Sequence, residues 1–321
     1  MVSELPVHRI EIPTPYAIGP VNAYLIHAEP LTLIDAGINT PEGKAALIAG
    51  FSAAGFRPDE LDRIIITHAH PDHYGLVSTL QELSDATVYF PAREIARVRD
   101  RQMLFEVGRL LIQAGMPLEL LFKMDQERKK GPRPHMKHDE VVLVNDADRF
   151  EFDEGFELAG HFMPGHSGGH FVYLEDDTKT LFAGDQLLPN TSPNPLLEAS
   201  LDEPGERRRS LREYLDSLEE MATMGLRLVY PGHGDPVEDP NALIQRTIEH
   251  HIKRKADVAS HLGDEPKSPY EIASEIYPDA PGYDSFLSVS EVVAHLDLVV
   301  EDGAAVTTED DDGVNRYASS D

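Results

Sequence analysis

Cysteine is absent from the 321 residues. Its absence excludes disulfides, thiolate nucleophiles and sulfur-ligated zinc, so any transition-metal site has to be built from imidazole and carboxylate. Apolar runs of about 18 or more residues, the length a membrane-spanning helix needs, are also missing, and no membrane partner is expected. The opening stretch MVSELPVHRIEIPTP has no basic segment followed by an apolar one, so no secretory signal is expected and the chain is assigned to the cytoplasm. Cations are scarce: 28 Lys and Arg face 57 Asp and Glu, for a net charge of −29. That field favours solubility and fits a high-salt setting. It repels nucleic acid wherever no local basic patch overrides it, so duplex nucleic acid is not an expected partner.

What is present alternates between strand-like and helix-like segments. Tyr24-Leu25-Ile26, Leu31 to Asp35 and Arg63 to Thr67 read as strands. Thr40-Pro41-Glu42 reads as a helix start, with a capping residue, proline at the first position and an early acid. Further strands are expected at 141–144, 171–174, 180–183 and 226–230, with a helix over 206–223. Helices are also expected within residues 93–138, from the spacing of Leu104, Val107, Leu110, Leu111 and Ala114. The pattern predicts a mixed α/β (α+β) fold of layered sheets with helices outside. After Pro236 the texture changes. A long helix over 240–262, helix starts at Ser268-Pro269-Tyr270-Glu271 and Ser288-Val289-Ser290-Glu291, and a hairpin around Glu309–Gly313 suggest a small winged-helix-like module. The expected division is 1–238 and 239–321.

The chemistry concentrates in His68-Ala69-His70-Pro71-Asp72-His73, directly after a strand. Three imidazoles and a carboxylate within one short loop suit Zn²⁺, Fe or Mn. His68 and His70 can share one ion, while Asp72 and His73 reach a neighbouring one. Downstream, His166 follows Gly165, Asp185 follows Gly184 and His233 follows Gly232, each after a strand-like run. Singly each is weak, but together they repeat one design: a strand end, a glycine, a ligand.

The order His-x-His-x-Asp-His, Gly-His, Gly-Asp, Gly-His over residues 20–236 resembles the metallo-β-lactamase superfamily. The resemblance implies an αββα sandwich with two divalent metal ions, zinc foremost, with iron or manganese as alternatives. It would place His68, His70 and His166 on the first ion and Asp72, His73 and His233 on the second, with Asp185 bridging. Asp35, in Leu33-Ile34-Asp35-Ala36-Gly37, would support the histidine loop. A bridging aspartate without a cysteine ligand is similar to the glyoxalase II-like hydrolases, and Ala294-His295-Leu296 resembles the winged-helix tail appended to many of them. The implied reaction is attack by a metal-bridged hydroxide, with Asp72 both binding metal and accepting a proton. A mono-iron persulfide dioxygenase chemistry remains an alternative.

Residues 93–138 carry eleven Lys and Arg against six acids. This basic helical insert reads either as a charged surface or as a cap that draws in a small anionic substrate. His135 and His138 lie in it, and Asn22 and Asn190 are further candidates for the cleft. A small ester or thioester is the leading substrate class, with a lactone as a variant. A single-strand RNA nuclease is the runner-up, disfavoured because residues 241–321 hold six cations against seventeen acids. A non-catalytic winged-helix binding protein is the third reading. The tail is expected to shape the cleft or to support a homodimer.

Overall fold

A computed structural model describes residues 5–99, 102–130 and 140–320. The chain forms two compact units, each drawing on separated stretches. Met1–Arg99, Pro132–Pro193 and Ser217–Ile244 make the first, and Asp100–Gly131, Asn194–Asp216 and Gln245–Asp321 the second.

The first unit holds two sheets. Strands β1 (Val7–Ile12), β2 (Val21–Ile26), β3 (Thr32–Ile34), β4 (Arg63–Ile65), β5 (Thr87–Pro91) and β6 (Val141–Val144) lie in chain order. The first three pair antiparallel, and β3 to β6 run parallel. Parallel pairing requires crossovers, which are supplied by helices α1 (Pro41–Ala53), α2 (Pro71–Tyr74), α3 (Val77–Leu83) and α4 (Ala92–Arg99). The second sheet, ordered β11-β10-β9-β8-β7, contains β7 (Arg149–Glu151), β8 (Glu157–Phe162), β9 (Phe171–Glu175), β10 (Thr180–Gly184) and β11 (Leu228–Pro231).

Side-chain alternation divides the core in two. Tyr24, Ile26, Ile34 and Ile65 of the first sheet meet Phe150, Tyr173 and Phe182 of the second. The opposite face of the first sheet, through Leu25, Leu33, Ile64 and Val88, packs against Leu47 and Phe51 of α1 and Val77 and Leu80 of α3. At about 1.5–3 kcal/mol per buried aliphatic or aromatic side chain, these two layers dominate the stability of the unit. Thr40 caps α1 as expected, accepting from the Gly43 N–H at 2.9 Å. Strand β1 escaped the sequence reading: Val7, Ile10 and Ile12 are interleaved with His8, Arg9 and Glu11, so no apolar run marks it.

The second unit contains α5 (Gln102–Gln113), α6 (Leu118–Arg128), the first half of α7 (Ser210–Thr223) and most of α8 (Pro240–Ser260). It also contains α9 (Pro269–Ile276), α10 (Tyr283–Glu301) and the hairpin β12 (Ala305–Glu309)–β13 (Asn315–Ser319). Leu110, Leu111, Val258, Ile272, Val289, Val292, Leu296 and Tyr317 form its core. The capping box at Ser268 is real: its hydroxyl accepts from the Glu271 N–H at 3.2 Å, and Glu271 accepts from the Ser268 N–H at 2.7 Å. The one expected at Ser288 is not. Helix α10 begins at Tyr283 behind Gly282 (φ 57°), and the Ser288 hydroxyl donates to the Asp284 carbonyl one turn back at 2.7 Å. Among the described residues no helix is long and apolar enough to cross a membrane.

Candidate metal centre

The parallel strands β3, β4 and β5 end at one edge of the first sheet, and the chain leaving each delivers a polar side chain. Asp35 follows β3, Thr67 and the histidine loop follow β4, and Glu94 lies in the first turn of α4 after β5. In the second sheet β8, β10 and β11 deliver His166, Asp185 and His233. Loops at strand ends, held by a rigid sheet, are where such groups can be aimed.

Two clusters result, each with one ligand atom per residue and all atoms within 4.8 Å of one another: His68, His70, His166 and Asp185; and Asp72, His73 and His233. His70 Nδ1 lies 3.0 Å from His68 Nε2 and 2.9 Å from His166 Nε2. Asp185 stands between the clusters. Its Oδ1 is 3.3 Å from His73 Nε2, and its Oδ2 is 3.5 Å from His166 Nε2 and 3.6 Å from His233 Nε2. Asp72 Oδ2 is 3.4 Å from His233 Nε2.

Around the clusters, the other ring nitrogens of His68, His73 and His233 are tied down. Asp35 is buried at positive φ (57°) and accepts from the Thr67 N–H at 2.9 Å and from His73 Nδ1 at 2.7 Å. The Thr67 hydroxyl is 2.8 Å from Asp35 Oδ2 and 3.0 Å from His68 Nδ1. Because the carboxylate can only accept, the hydroxyl donates to it and accepts from the His68 Nδ1–H. His233 Nδ1 donates to the Pro20 carbonyl at 2.8 Å. Thus the neutral rings of His68, His73 and His233 each carry their proton on Nδ1 and turn the Nε2 lone pair inward.

The electrostatics are those of a charge-dense pocket. Burial, and then the neighbouring imidazoles, push His68 well below the ordinary histidine value. Burial also opposes the charged form of His73, but the Asp185 and Asp35 carboxylates outweigh it and hold His73 well above that value. Burial would raise Asp185, yet His73, His233 and His166 pull it well down. His73 Nε2, His233 Nε2 and Asp185 Oδ1 are buried with no hydrogen-bond partner.

These residues fit a cation better than they fit one another. Bare imidazole nitrogens 3 Å apart repel, and unpartnered buried polar atoms are costly. A tetrahedral ion bonded at about 2.0–2.1 Å sets its ligand atoms about 3.3 Å apart, close to the spacing here, and uses each lone pair. Gly232 closes the arrangement: a Cβ there would overlap Asp185 Oδ1 and come within 2.7 Å of the His73 ring.

The remaining expected residues divide. Asn22 is buried, and its amide donates to the Pro231 and Gly234 carbonyls at 3.0 and 2.8 Å, so it anchors the His233 loop from below. Asn190 is exposed, with its amide beside Gly234. His135 and His138 lie outside the described residues. Among the described residues of the insert, several cations are used locally. Arg109 binds Glu106, Gln113 and the Gly205 carbonyl, while Arg128 and Lys129 pair with Asp125 and Arg93 lies over Phe162. Three neighbours of the site were not anticipated. Tyr16 has its hydroxyl pushed up by burial and by Asp72. His170 is stacked on His68, with its Nε2 accepting from the Asp185 N–H at 3.2 Å. Glu94 is buried between the ligand loops. The Gly-Gly-His that follows His166 was the available signal for His170.

The sequence profile of the metallo-beta-lactamase superfamily matches residues 17–233. A probable metallo-hydrolase of Bacillus subtilis is 29% identical over 308 residues, covering 94% of each chain. An atrochrysone carboxyl ACP thioesterase of Aspergillus fumigatus is 29% identical over 105 residues, 33% of this chain and 29% of its own. A solved metallo-beta-lactamase family protein of Thermus thermophilus superposes with a TM-score of 0.81 at 26% identity, over 98% of both chains. With the profile spanning every residue of the two ligand clusters, the chain belongs to the metallo-beta-lactamase superfamily and is a metallo-hydrolase.

Proposed function

We propose that the protein is a dinuclear metal-dependent hydrolase of a small anionic ester or thioester, of the glyoxalase II-like kind. One observation carries the reading: a single carboxylate, Asp185, stands between two ligand clusters, with Oδ1 toward His73 and Oδ2 toward both His166 and His233. His68, His70 and His166 would hold one divalent ion, Asp72, His73 and His233 the other, and Asp185 both. Zinc suits the imidazole-rich set, and iron or manganese also suits it. When bound, such ions lower the pKa of water and polarise an electrophilic carbonyl.

The chain's own residues do the rest. Asp35, the Thr67 hydroxyl and the Pro20 carbonyl fix three ring tautomers so that none of these three rings has to reorganise during turnover. Asp72 takes up a proton on the carboxylate oxygen turned away from His233. The cysteine-free composition removes a thiol nucleophile from consideration. The local pairing of Arg109, Arg128 and Lys129 favours a small substrate over a polyanion. A thioester agrees with the name of the Aspergillus relative. Residues 239–321, with α8 to α10 and the acidic hairpin, serve as a winged-helix-like tail without a nucleic-acid role.

The test is turnover by the full chain loaded in turn with Zn²⁺, Mn²⁺ and Fe²⁺, against acyl-glutathione, acyl-coenzyme A, homoserine lactone, a phosphodiester and short single-stranded RNA. Thiol or acid release that stops on chelation is expected. Cleavage of RNA alone would overturn the small-substrate reading.

A further inference from the structure

Glu94 lies in no ligand loop and belongs to no metal-binding sequence pattern, yet its carboxylate joins the two loops that build the three-histidine cluster. It sits in the first turn of α4 and is 2% exposed. Its Oε2 accepts from the N–H of Ala69, the residue between His68 and His70, at 3.1 Å. Its Oε1 accepts from the Ser167 hydroxyl, next to His166, at 2.9 Å and from the Gly169 N–H at 2.6 Å. The three donors come from two loops about a hundred residues apart in the chain, each bonded beside a ligand. The fit is close: a Cβ on Gly169 would lie 2.8 Å from the Glu94 Cγ, backbone nitrogen and Oε1, so only glycine lets that loop approach the carboxylate.

The second cluster has different supports. Asp35 holds His73, and the Pro20 carbonyl holds His233. Glu94 contacts neither residue in any hydrogen bond described above. Among the described residues these supports are therefore divided between the clusters, with the Thr67 hydroxyl shared by both.

Resting on the assignment of His68, His70 and His166 as ligands of one ion, we infer that Glu94 is the positioning residue of that ion's site, clamping the His68–His70 loop to the His166 loop so that the three nitrogens converge. Its removal leaves the ligands in place but lets the two loops part. Affinity then falls at the three-histidine cluster and not at the Asp72, His73 and His233 cluster. A residue that only stabilised the fold would weaken both or neither.

The experiment uses the full chain as wild type, Glu94→Ala, Glu94→Gln and Ser167→Ala. Stepwise Zn²⁺ affinities come from competition with a chromophoric chelator, and Co²⁺ absorption reports the coordination. The two steps are assigned with His166→Ala and Asp72→Ala. For Glu94→Ala, a loss of about 10- to 100-fold confined to the three-histidine step is expected, with a matching change in the Co²⁺ bands. Glu94→Gln is expected to fall between it and wild type, because its amide keeps one acceptor and turns a donor toward the other loop. Ser167→Ala, which removes one of three donors and leaves the chain otherwise intact, is expected to show the smallest loss and decides the matter if Glu94→Ala does not fold. Unchanged steps, or equal losses at both, would overturn the inference. A wild-type chain that binds no metal would instead overturn the ligand assignment beneath it.

Discussion

Asp35→Asn is the most informative single change at the candidate metal centre, because it preserves shape and φ while putting a donor where Oδ2 faces His73 Nδ1. The Thr67 hydroxyl, also bonded to Oδ2, can turn to the remaining oxygen, 3.1 Å away. Asparagine tolerates the left-handed backbone at this position, where φ is 57°, better than alanine does. Its oxygen can still accept from the Thr67 N–H, 2.9 Å from Oδ1 in the wild type. Its amide nitrogen then replaces Oδ2, which faces His73 Nδ1 at 2.7 Å. Two donors cannot share that contact, so the His73 ring proton moves to Nε2, and the lone pair aimed at the cluster beside Asp185 is lost. Loss of an orienting partner costs about 10- to 100-fold in metal affinity, equivalent to about 1.4–2.7 kcal/mol. The Asp72, His73 and His233 step should bear most of it. Asp35→Ala should cost more in stability, since it strands the buried Thr67 N–H and His73 Nδ1–H at about 1–3 kcal/mol each. Chelator competition gives the affinities, and urea unfolding of the metal-free chain gives the stability. Affinities of Asp35→Asn within about twofold of wild type, with undiminished turnover, would refute the tautomer reasoning.

Three further outcomes follow from other parts of the molecule. His251 and His295 stack in the second unit, and burial first, then neighbouring cations, lowers them to about 3 and about 4. His250 and Arg254 face the pair, and Tyr214 packs against it. Because both folded values lie below the unfolded one, their contribution is complete above about pH 6.5 and is lost as pH falls toward the folded values, at about 2 kcal/mol per histidine by about pH 5. His251→Phe should remove about half of the loss due to this pair in urea unfolding of chelated protein, and an unaltered pH dependence would contradict it. Gly232→Ala should displace the Asp185 carboxylate and lower kcat by about tenfold or more, with about 1–3 kcal/mol of destabilisation from overpacking. Full kcat in that variant would show that the loop has slack. Asn22→Ala should loosen the His233 loop, costing about 1–3 kcal/mol in stability from the stranded carbonyls of Pro231 and Gly234 and raising the metal concentration needed for activity. An unchanged metal requirement would count against that anchoring role.

The two candidate ligand clusters were legible because their geometry is local. His68 to His73 occupy one loop, and His166, Asp185 and His233 each follow a strand that its own apolar residues announce. Their supports were not legible, because they are set by tertiary approach. Glu94 bonds donors 25, 73 and 75 residues away and lies in a stretch whose composition advertises cations. Asn22 read equally as a turn former or a cleft residue until its bonds to Pro231 and Gly234, more than two hundred residues distant, were visible. At Ser288 the local pattern misled, since a Ser-x-x-Glu spacing inside a helix satisfies the motif without starting anything. The basic insert was read correctly in sign, but Arg109, Arg128 and Lys129 are paired within their own helices, which the sequence does not display.

The most direct test of the dinuclear reading is a metal count on the full chain after equilibration with buffered Zn²⁺ and removal of excess, alongside Asp185→Asn treated identically. Two ions per wild-type chain are expected, with Asp185→Asn weakening both steps because its carboxylate faces both clusters. A wild-type chain that retains fewer than two ions, or an Asp185→Asn chain that binds two as tightly as wild type, would contradict it.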